Sequence, residues 1–476
     1  MIDGLKPYLE IKGTGVPWLG EVPEHWSVLP NRVIFDEIKE RDRPEADMLS
    51  VTITKGVIRQ QTLLEDSSKK DGSKLDRSAY KFVRPGDIAY NKMRAWQGAV
   101  GVSEFEGIVS PAYVVERPRE GADPHYLHYL LRTPAFAKEA ERWSYGITSD
   151  MWSLRPEHFK MIYSCLPPLP EQAAIVRFLD HADRKIRRYI RAKQKLIKLL
   201  EEQKQAIIHR AVTRGLDPNV RLKPSGVDWL GDVPVHWDVV PLKRAFSRMD
   251  YGISESGSDS GVIPLLTMGH IRNGVVTVPE RGGVGRVEKS LLLKDKDLLF
   301  NRTNSAELVA KVGLFCAVGR PVTFASYLVR MRSHADNSPE FLNFALNAPA
   351  FLGAARREAI PSLHQSNLNP TRYGRLPIPL PPSQEQLQIV DVVLEQTSCL
   401  NDTAASAWRE IDLLHEYRTR LIADVVTGKL DVREAAAQLH DEDQELPPID
   451  ESDEISESEE DEPDDLDVAP LEDPET

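Results

Sequence analysis

Residues that could carry out catalysis are few and scattered in this 476-residue chain. Its three cysteines, Cys165, Cys316 and Cys399, are too far apart in sequence to indicate a disulfide framework or a zinc site, and this usage is typical of a reducing cytosol. The twelve histidines include no HExxH motif. There is no Walker A sequence for ATP phosphates, and the run GGVGR that starts at Gly282 lacks the strand–glycine–helix context of a dinucleotide site. The sequence therefore predicts a protein without a catalytic centre or a bound metal of its own.

The tetrapeptide DPHY at residues 123–126 differs at one position from the DPPY signature of adenine methyltransferases. Its counterpart in the second half of the chain, SPEF at residues 338–341, keeps a helix-start pattern and loses the residues that the chemistry would need. We therefore interpret both tetrapeptides as helix starts.

The counterpart exists because the chain contains an internal repeat. The run GVPWLGEVPEHWSVLP from Gly15 recurs as GVDWLGDVPVHWDVVP from Gly226, with eleven of sixteen positions identical. The run LPPLPEQAAIV from Leu166 recurs as LPPSQEQLQIV from Leu380, 214 residues later. Between these runs the similarity is weaker, as in GDIAYNKM at Gly86 and KDLLFNRT at Lys296. The repeat predicts two similar frames that carry different residues.

A long stretch with a regular apolar seam follows each LPPxxEQ run. The seam recurs at alternating steps of four and three residues after the first run and every seven residues after the second, which favours paired helices of about 40 residues, or roughly 60 Å. Ile186 and Tyr189 belong to the first apolar seam, and Val393 and Leu400 to the second. Shorter alternating runs, such as 48–54, 87–93, 108–116, 262–268 and 324–331, predict strands.

From these patterns we predict a mixed α/β fold in which two diverged α/β domains alternate with two long helices that pair with each other as a coiled coil. The predicted boundaries are residues 1–165 for the first domain, 166–217 for the first helix, 218–379 for the second domain, 380–435 for the second helix, and 436–476 for a disordered acidic tail.

The motif WLGxVPxHW, the run LPPxxEQxxIV leading into a basic heptad helix, and the repetition of both resemble the specificity subunits of type I restriction-modification systems, over residues 14–435. The resemblance implies a non-catalytic subunit that recognises a bipartite double-stranded DNA target, one half with each domain. The two α/β domains would then be target-recognition domains, separated by a long antiparallel two-helix coiled coil and related by a pseudo-two-fold repeat. It also implies two methyltransferase (modification) subunits as partners and a motor-nuclease (restriction) subunit that completes the complex. The AdoMet, ATP and Mg chemistry would then lie in the partner chains, with no cofactor in this one.

Polar and basic residues at predicted strand ends are the expected DNA contacts, because Asn and Gln can pair with adenine edges and Arg or Lys with guanine. In the first domain they are Lys55, Arg59, Gln60, Asn91, Lys92, Arg94, Tyr145, Thr148 and Ser149. In the second domain they are His270, Arg272, Asn273, Asn301, Arg302, Asn304, Ser362, His364, Gln365 and Asn367. Lys92 and Arg302 align across the repeat, which favours phosphate contact for that pair. Each residue could instead be an ordinary solvated loop residue.

The function of two charged segments can be interpreted in more than one way. The helix from Ala182 to Arg210 holds ten Lys and Arg against three Asp and Glu, which suits either a solvated face or contact with DNA phosphates. Residues 441–476 hold 19 Asp and Glu and no Lys or Arg, so the rest of the chain carries 60 basic against 54 acidic groups, or +6. This tail could keep the protein soluble, compete for the DNA site, or dock a partner.

Two other functions stay open from the residues alone: a self-contained DNA methyltransferase or nuclease, and a coiled-coil scaffold that does not bind DNA. No apolar run reaches the roughly 18 residues of a membrane span, and Met1-Ile2-Asp3 begins no signal peptide. We therefore expect a cytoplasmic protein without membrane contact.

Overall fold

The structure, a computed structural model, describes residues 5–41, 43–60, 77–146, 152–258, 260–362 and 365–439. Residues 440–476 lie outside the described residues, so the predicted disorder of the acidic tail stays a prediction there, whereas residues 436 and 437, which we placed in that tail, belong to the helix Arg433–Ala437. The chain divides into two compact units. Unit 1 comprises residues 1–193 and 409–476, and unit 2 comprises residues 194–408. This division runs through both long helices, and the predicted domain boundaries, which set those helices apart, stay a prediction.

The first half of the chain alternates short strands and helices and ends in a long helix. In chain order its elements are β1 (Ile11–Gly13), β2 (Glu21–Pro23), β3 (Ser27–Pro30), α1 (Asn31–Ile34), β4 (Phe35–Ile38), β5 (Leu49–Thr52), β6 (Gly56–Arg59), β7 (Lys81–Val83), β8 (Ile88–Asn91), β9 (Val100–Val102), β10 (Gly107–Val109), β11 (Tyr113–Pro118), α2 (Pro124–Leu131), α3 (Pro134–Arg142), α4 (Pro156–Phe159), β12 (Tyr163–Leu166) and α5 (Leu169–Arg214).

The second half follows a similar order. Its elements are β13 (Leu222–Pro224), β14 (Asp232–Pro234), β15 (Asp238–Pro241), β16 (Phe246–Tyr251), β17 (Leu265–Leu266), β18 (Ile271–Arg272), β19 (Val275–Val276), β20 (Leu298–Asn301), β21 (Thr303–Asn304), β22 (Val312–Leu314), β23 (Thr323–Phe324), β24 (Leu328–Ser333), α6 (Pro339–Asn347), α7 (Pro349–Arg357), β25 (Ile360–Pro361), β26 (Ser366–Asn367), α8 (Pro370–Tyr373), β27 (Pro377–Leu380), α9 (Ser383–Val426) and α10 (Arg433–Ala437).

Unit 1 is built around an antiparallel sheet with the strand order β4-β11-β8-β9. Its main core combines side chains from distant parts of the sequence, including Trp26, Tyr126, Ile175 and Val425. The segment that contains Trp26, helix α2, helix α5 and helix α9 therefore depend on one another for burial of their apolar faces.

Unit 2 is built around a sheet with the order β16-β24-β20-β22-β19-β18. All neighbours are antiparallel except β19 and β22, which are parallel. Its first four strands follow the same chain order as the four strands of the unit 1 sheet. Trp237, Phe300, Val212 and Ile389 share the main core, so here too the opening segment, the sheet and both long helices pack together.

The two long helices run in opposite directions within each unit. In unit 1, Arg418 pairs with Asp183, and Lys193 Nζ lies 2.6 Å from an oxygen of Glu410, so the partner residue number falls as the α5 number rises. In unit 2, α5 ends at Arg214, and the following residue, Gly215, lies next to Glu385 in the first turn of α9. Gly215 has a φ of 72°, which suits a glycine at a helix end.

Several predicted elements differ in detail from the observed ones. The run 108–116 forms two strands, β10 and β11, because a turn in which Tyr113 N donates to Ser110 O separates them. The run 262–268 contains only the two-residue strand β17. Tyr189, expected in the apolar seam of α5, is 54% exposed, and Ile190 is buried instead. A helix has 3.6 residues per turn, so a 3.5-residue seam drifts around its surface.

Candidate nucleic-acid interface

A buried glutamate connects the opening segment of unit 1 to the start of α5. Glu171 Oε1 accepts hydrogen bonds from Trp26 Nε1 at 2.9 Å and from the Tyr8 hydroxyl at 2.5 Å. Its Oε2 lies 2.7 Å from His25 Nε2. Burial and the bond to Glu171 raise the pKa of Tyr8 well above its ordinary value. The HW pair of the opening motif and the glutamate of LPPxxEQ are therefore two halves of one contact.

Unit 2 repeats this contact with one difference. His236 Nε2 lies 2.8 Å from Glu385 Oε2, as in unit 1. Trp237 is fully buried, but its Nε1 has no hydrogen-bond partner among the described residues. The histidine–glutamate bond thus recurs, while the second tryptophan contributes packing alone.

The glutamine of each LPPxxEQ motif holds the start of a short helix. Gln172 Oε1 accepts from the backbone N of Asp123 at 2.7 Å, and Gln386 Oε1 accepts from the backbone N of Ser338 at 2.9 Å. Asp123 and Ser338 cap α2 and α6 through their side chains, which confirms that DPHY and SPEF are helix starts.

The tryptophans of the opening segments belong to the packing of each unit. Trp18 packs edge-on against Phe136 with ring centroids 5.6 Å apart, and Trp229 packs in the same way against Phe351 at 5.4 Å. Trp26 has no exposed surface. The structure therefore uses these rings for packing within each unit.

Buried aspartates fix the strands that carry the expected DNA contacts. Asp87, just before β8, binds Arg117 on β11 through two hydrogen bonds of 2.7 and 2.9 Å. Asp297, just before β20, binds Arg332 on β24 at 2.7 and 2.6 Å. Hydrogen bonding to the aspartate raises the pKa of each arginine. The ends of β8 and β20 therefore project from equivalent, charge-paired strands.

At the end of β8, the structure brings together residues that are distant in sequence. Leu154 N donates to Lys92 O at 2.9 Å, and Tyr145 pairs with Ser153 through a backbone bridge. The Tyr145 side chain is 61% exposed, whereas Asn91 is half-buried and accepts a bond from the backbone of the following turn. We call residues 91–94, 145 and 152–154 the unit 1 strand-end loops; Arg94 lies in them, half-buried.

The end of β20 has the same arrangement. Leu368 N donates to Arg302 O at 2.7 Å, and an Arg302 guanidinium nitrogen donates to Asn367 Oδ1 at 3.0 Å. Strand β21, which contains Asn304, pairs with β26. We call residues 301–304, 360–362 and 365–367 the unit 2 strand-end loops; the exposed Ser362 and Gln365 lie at their tip.

The remaining expected contacts lie on two hairpins. In unit 1, β5 and β6 form a hairpin with Lys55 exposed at its tip, Arg59 exposed on β6, and Gln60 directly after it. Arg59 also lies over the ring of Phe105, 4.9 Å from its centroid. In unit 2, β18 and β19 form a hairpin with Arg272 and Asn273 exposed.

This chain is similar to known proteins in sequence and in fold. Residues 235–400 match the family model described as "Type I restriction modification DNA specificity domain". The specificity subunit of the type I restriction enzyme EcoKI from Escherichia coli K12 is 24% identical over 334 residues, which cover 67% of this chain and 69% of that protein. This chain is therefore similar to type I restriction-modification specificity subunits, and the model of their specificity domain matches residues 235–400.

Other relatives agree with this assignment. The specificity subunit of the StySPI enzyme from Salmonella potsdam is 23% identical over 335 residues, covering 67% of this chain and 69% of that one. A solved chain from a study of complex assembly and conformational transition of a type I restriction-modification system superposes with a TM-score of 0.61. It is 16% identical to this chain and covers 86% of this chain and 99% of its own, which shows a shared fold.

The residues of this chain that were expected to contact DNA differ in how much of each side chain is exposed. Asn301 is only 2% exposed, and its Nδ2 contacts Met268 O at 3.4 Å, so its amide faces the protein interior. His270 is half-buried; burial lowers the pKa of its ring, and Nδ1 accepts from Thr267 N at 2.9 Å. Thr148, Ser149 and His364 lie outside the described residues.

Sequence reasoning missed the residues that hold these loops in place. Asp87 and Asp297 are repeated in the aligned runs GDIAYNKM and KDLLFNRT, and Gln172 and Gln386 in the two LPPxxEQ motifs. That repetition was a usable signal, because residues that persist in both copies while their neighbours diverge serve the shared frame. Across the described residues, no group of three or more His, Cys, Asp or Glu is placed to hold a metal ion, and no helix is long and apolar enough to span a membrane.

Proposed function

We propose that this chain is a non-catalytic specificity subunit of a type I restriction-modification system, that it recognises a bipartite DNA target, one half-site with each unit, and that it directs two methyltransferase subunits and a motor-nuclease subunit to that target. The observation that carries the proposal is the pair of strand-end loops. In both units the same backbone bond, Leu154 to Lys92 and Leu368 to Arg302, brings together two loops with different side chains. Equivalent frames with unlike contact residues are what reading two different half-sites requires.

The side chains in these loops suit two kinds of DNA contact. Lys92 and Arg302 occupy equivalent places, so we assign them to phosphates, which carry no sequence information. Tyr145, Gln365 and Asn304 are not matched by residues of the same type in the other unit, and Asn304, for example, aligns with Arg94. We therefore assign them to base edges or to sequence-dependent shape.

We further propose that the two units are diverged copies of one fold with a pseudo-two-fold relation, and that the antiparallel helices form a coiled coil that sets the distance between the half-sites. Helices α5 and α9 are 46 and 44 residues long. The half-sites would lie about one turn of DNA, roughly 34 Å, apart. AdoMet, ATP and Mg would be bound by the partner subunits.

The first test is selection of bound DNA from a random pool by the chain assembled with its methyltransferase subunits. The expected result is two short sequences separated by a constant spacer, with an affinity that falls steeply with salt. A single uninterrupted site, or binding that does not depend on salt, would count against the proposal. Methyl transfer from labelled AdoMet by the purified chain alone would favour a self-contained enzyme, and absence of DNA binding would favour a scaffold.

The second test changes helix length. Removing one heptad from each helix shortens the pair by about 10 Å, so we expect the preferred spacer to shorten by about 3 base pairs. Inserting one heptad into each helix is the matched control and should lengthen the spacer by the same amount. An unchanged spacer in both variants would refute the role of the helices.

A further inference from the structure

Each unit has a hairpin whose tip is held by a helix. In unit 1, β5 and β6 are joined by residues 53–55, and Thr52 pairs with Gly56. In unit 2, β18 and β19 are joined by Asn273 and Gly274, and Arg272 pairs with Val275. The φ angles of Asn273 and Gly274 are 48° and 78°, the left-handed conformation that a tight two-residue hairpin requires.

The helices next to these hairpins are equivalent elements of the two units. When DPHYLHYLLRTPAF of α2 is aligned with SPEFLNFALNAPAF of α6, His128 corresponds to Asn343 and Arg132 to Asn347. In both helices the two positions are four residues apart and therefore lie on one face.

In unit 1, this face binds the hairpin tip and the neighbouring strand through backbone oxygens. One Arg132 nitrogen donates to Ile53 O at 2.7 Å and to Thr54 O at 2.6 Å, and the other donates to Val100 O at 2.7 Å. His128 Nδ1 accepts from Val102 N at 3.2 Å. Burial lowers the pKa of His128 to about 3, so the ring is neutral and can accept this bond.

Close approach of the helix to the hairpin depends on glycines. A Cβ at Gly101 would lie 3.1 Å from His128 Nδ1, and one at Gly56 would lie 3.3 Å from an Arg132 nitrogen. Gly56 also has a φ of 75°, a conformation that disfavours any other residue.

In unit 2, the same face makes the same kind of contact with different side chains. Asn343 Nδ2 donates to Gly274 O, in the hairpin tip, at 2.8 Å. Asn347 bonds both the N and the O of Val312 on β22, at 3.1 and 2.9 Å. Leu314 N also donates to Gly274 O, at 2.9 Å.

The contacts that hold each tip are made to its backbone and not to its side chains. Lys55, Arg272 and Asn273 are exposed while the backbone beneath them is fixed to the helix or to the sheet. A two-stranded ribbon fits the major groove of DNA, and a rigid ribbon loses less conformational entropy on binding than a free loop.

We propose that the two hairpin tips read DNA, and that the helix pairs His128 with Arg132 and Asn343 with Asn347 are positioning residues that set the pose of each tip. This inference rests on the proposed function, because it assigns one half-site to each unit. Positioning residues of different types at equivalent places would let the two tips adopt different poses on the same frame.

The test uses the complete chain in its methyltransferase complex and measures affinity for the selected DNA and for two libraries, each with one half-site randomised. Arg272→Ala removes a side chain of the tip. Asn343→Asp leaves the tip unchanged and replaces the amide donor that holds its backbone with a carboxylate. Asn343→Leu removes the donor without adding charge and serves as the matched control for electrostatic repulsion.

We expect Arg272→Ala and both Asn343 variants to weaken binding of the selected DNA about tenfold and to relax discrimination in one half-site only, with the other unchanged. The double variant Arg272→Ala with Asn343→Leu should bind little worse than Arg272→Ala alone, because the positioning residue acts through the tip. In unit 1, Lys55→Ala should relax discrimination in the opposite half-site.

The outcomes separate the two proposals. If the wild-type complex binds no bipartite DNA, the proposed function fails. If it binds, and Arg272→Ala binds as well as the wild type, the hairpin is not a reading element. If Arg272→Ala weakens binding and neither Asn343 variant does, or if those variants weaken both half-sites equally together with a lower melting temperature, Asn343 has only a structural role.

Discussion

Replacing Glu116 should stabilise unit 1 most at alkaline pH. Glu116 lies on β11 with no exposed surface, and neither carboxylate oxygen has a hydrogen-bond partner among the described residues. Burial raises the pKa of Glu116 from 4.5 to about 8. By strand register, β11 places Glu116 opposite Ile88, and β24 places Met331 opposite Leu298. The equivalent position in unit 2 is therefore a buried methionine, which indicates that the site accepts an apolar side chain.

The magnitude follows from the pKa. A carboxyl group whose pKa is higher in the folded state favours folding while it is protonated, so stability is lost as pH rises through the interval from 4.5 to about 8. Each unit of pKa corresponds to about 1.4 kcal/mol, so the full interval amounts to about 5 kcal/mol. Between about pH 5 and about pH 7.5, the wild type should lose roughly 3 kcal/mol relative to a variant that cannot ionise.

Urea unfolding of the wild type and two variants at a series of pH values measures this difference. Glu116→Gln keeps the polar group and removes ionisation, while Glu116→Met copies the unit 2 residue and should be the more stable variant throughout. Hydrogen exchange of peptides from β11 assigns the transition to unit 1. Glu157→Gln, at an exposed position, is the matched control and should unfold like the wild type at every pH.

A free-energy difference between the wild type and Glu116→Gln that stays constant with pH would refute the reasoning. So would a wild type that becomes the more stable protein as pH rises, since that requires the folded state to favour the charged carboxylate.

Three further predictions concern the frame and the tail. Trp26→Phe should lower the free energy of unfolding by about 2 kcal/mol more than Trp237→Phe does, because of these two residues only Trp26 donates to a buried carboxylate. Equal losses of stability in urea unfolding would contradict this. Gln386→Leu should lower stability by about 1–3 kcal/mol and speed hydrogen exchange at the start of α6, where Ser338 N loses its acceptor; unchanged exchange there would be the contrary result. Deleting residues 441–476 removes 19 acidic groups and leaves the rest of the chain with a net charge of +6. The affinity of the truncated protein for DNA should therefore rise several-fold at low salt and converge with that of the wild type at high salt. An affinity that does not change at low salt would show that the tail has no electrostatic effect on DNA binding.

Elements with strong local signals were predictable from the sequence. Helices α5 and α9 were predicted because their apolar period and lack of interior glycine hold over more than 40 residues. DPHY and SPEF were read as helix starts because a capping side chain followed by proline acts locally. Short strands were predicted less well: β10 and β11 were taken as one strand because a turn at Ser110 has only a weak local signal.

The sequence did not predict which residues far apart in the chain contact each other. Trp26 and Trp237 occupy the same place in one motif, yet only the first finds a hydrogen-bond acceptor. Asn301 is of a residue type that can read bases, yet it is buried, because both faces of β20 are covered and all four residues of the strand are buried. One sequence shows the type of a residue, whereas its exposure depends on what packs against it.

The sequence by itself determined the duplication, the two long helices, the separate acidic tail and the family resemblance, because identity at matched spacing and helical periodicity are properties of the chain read in order. Only the tertiary structure decided that the Glu and Gln of the LPPxxEQ motifs hold the opening segments and the helix starts. It also decided that the loops after β8 and β20 meet segments more than 50 residues away, and that helix residues hold the hairpin tips. These contacts join residues whose separation along the chain carries no periodic signal, and they form only when burial of the shared cores brings the elements together.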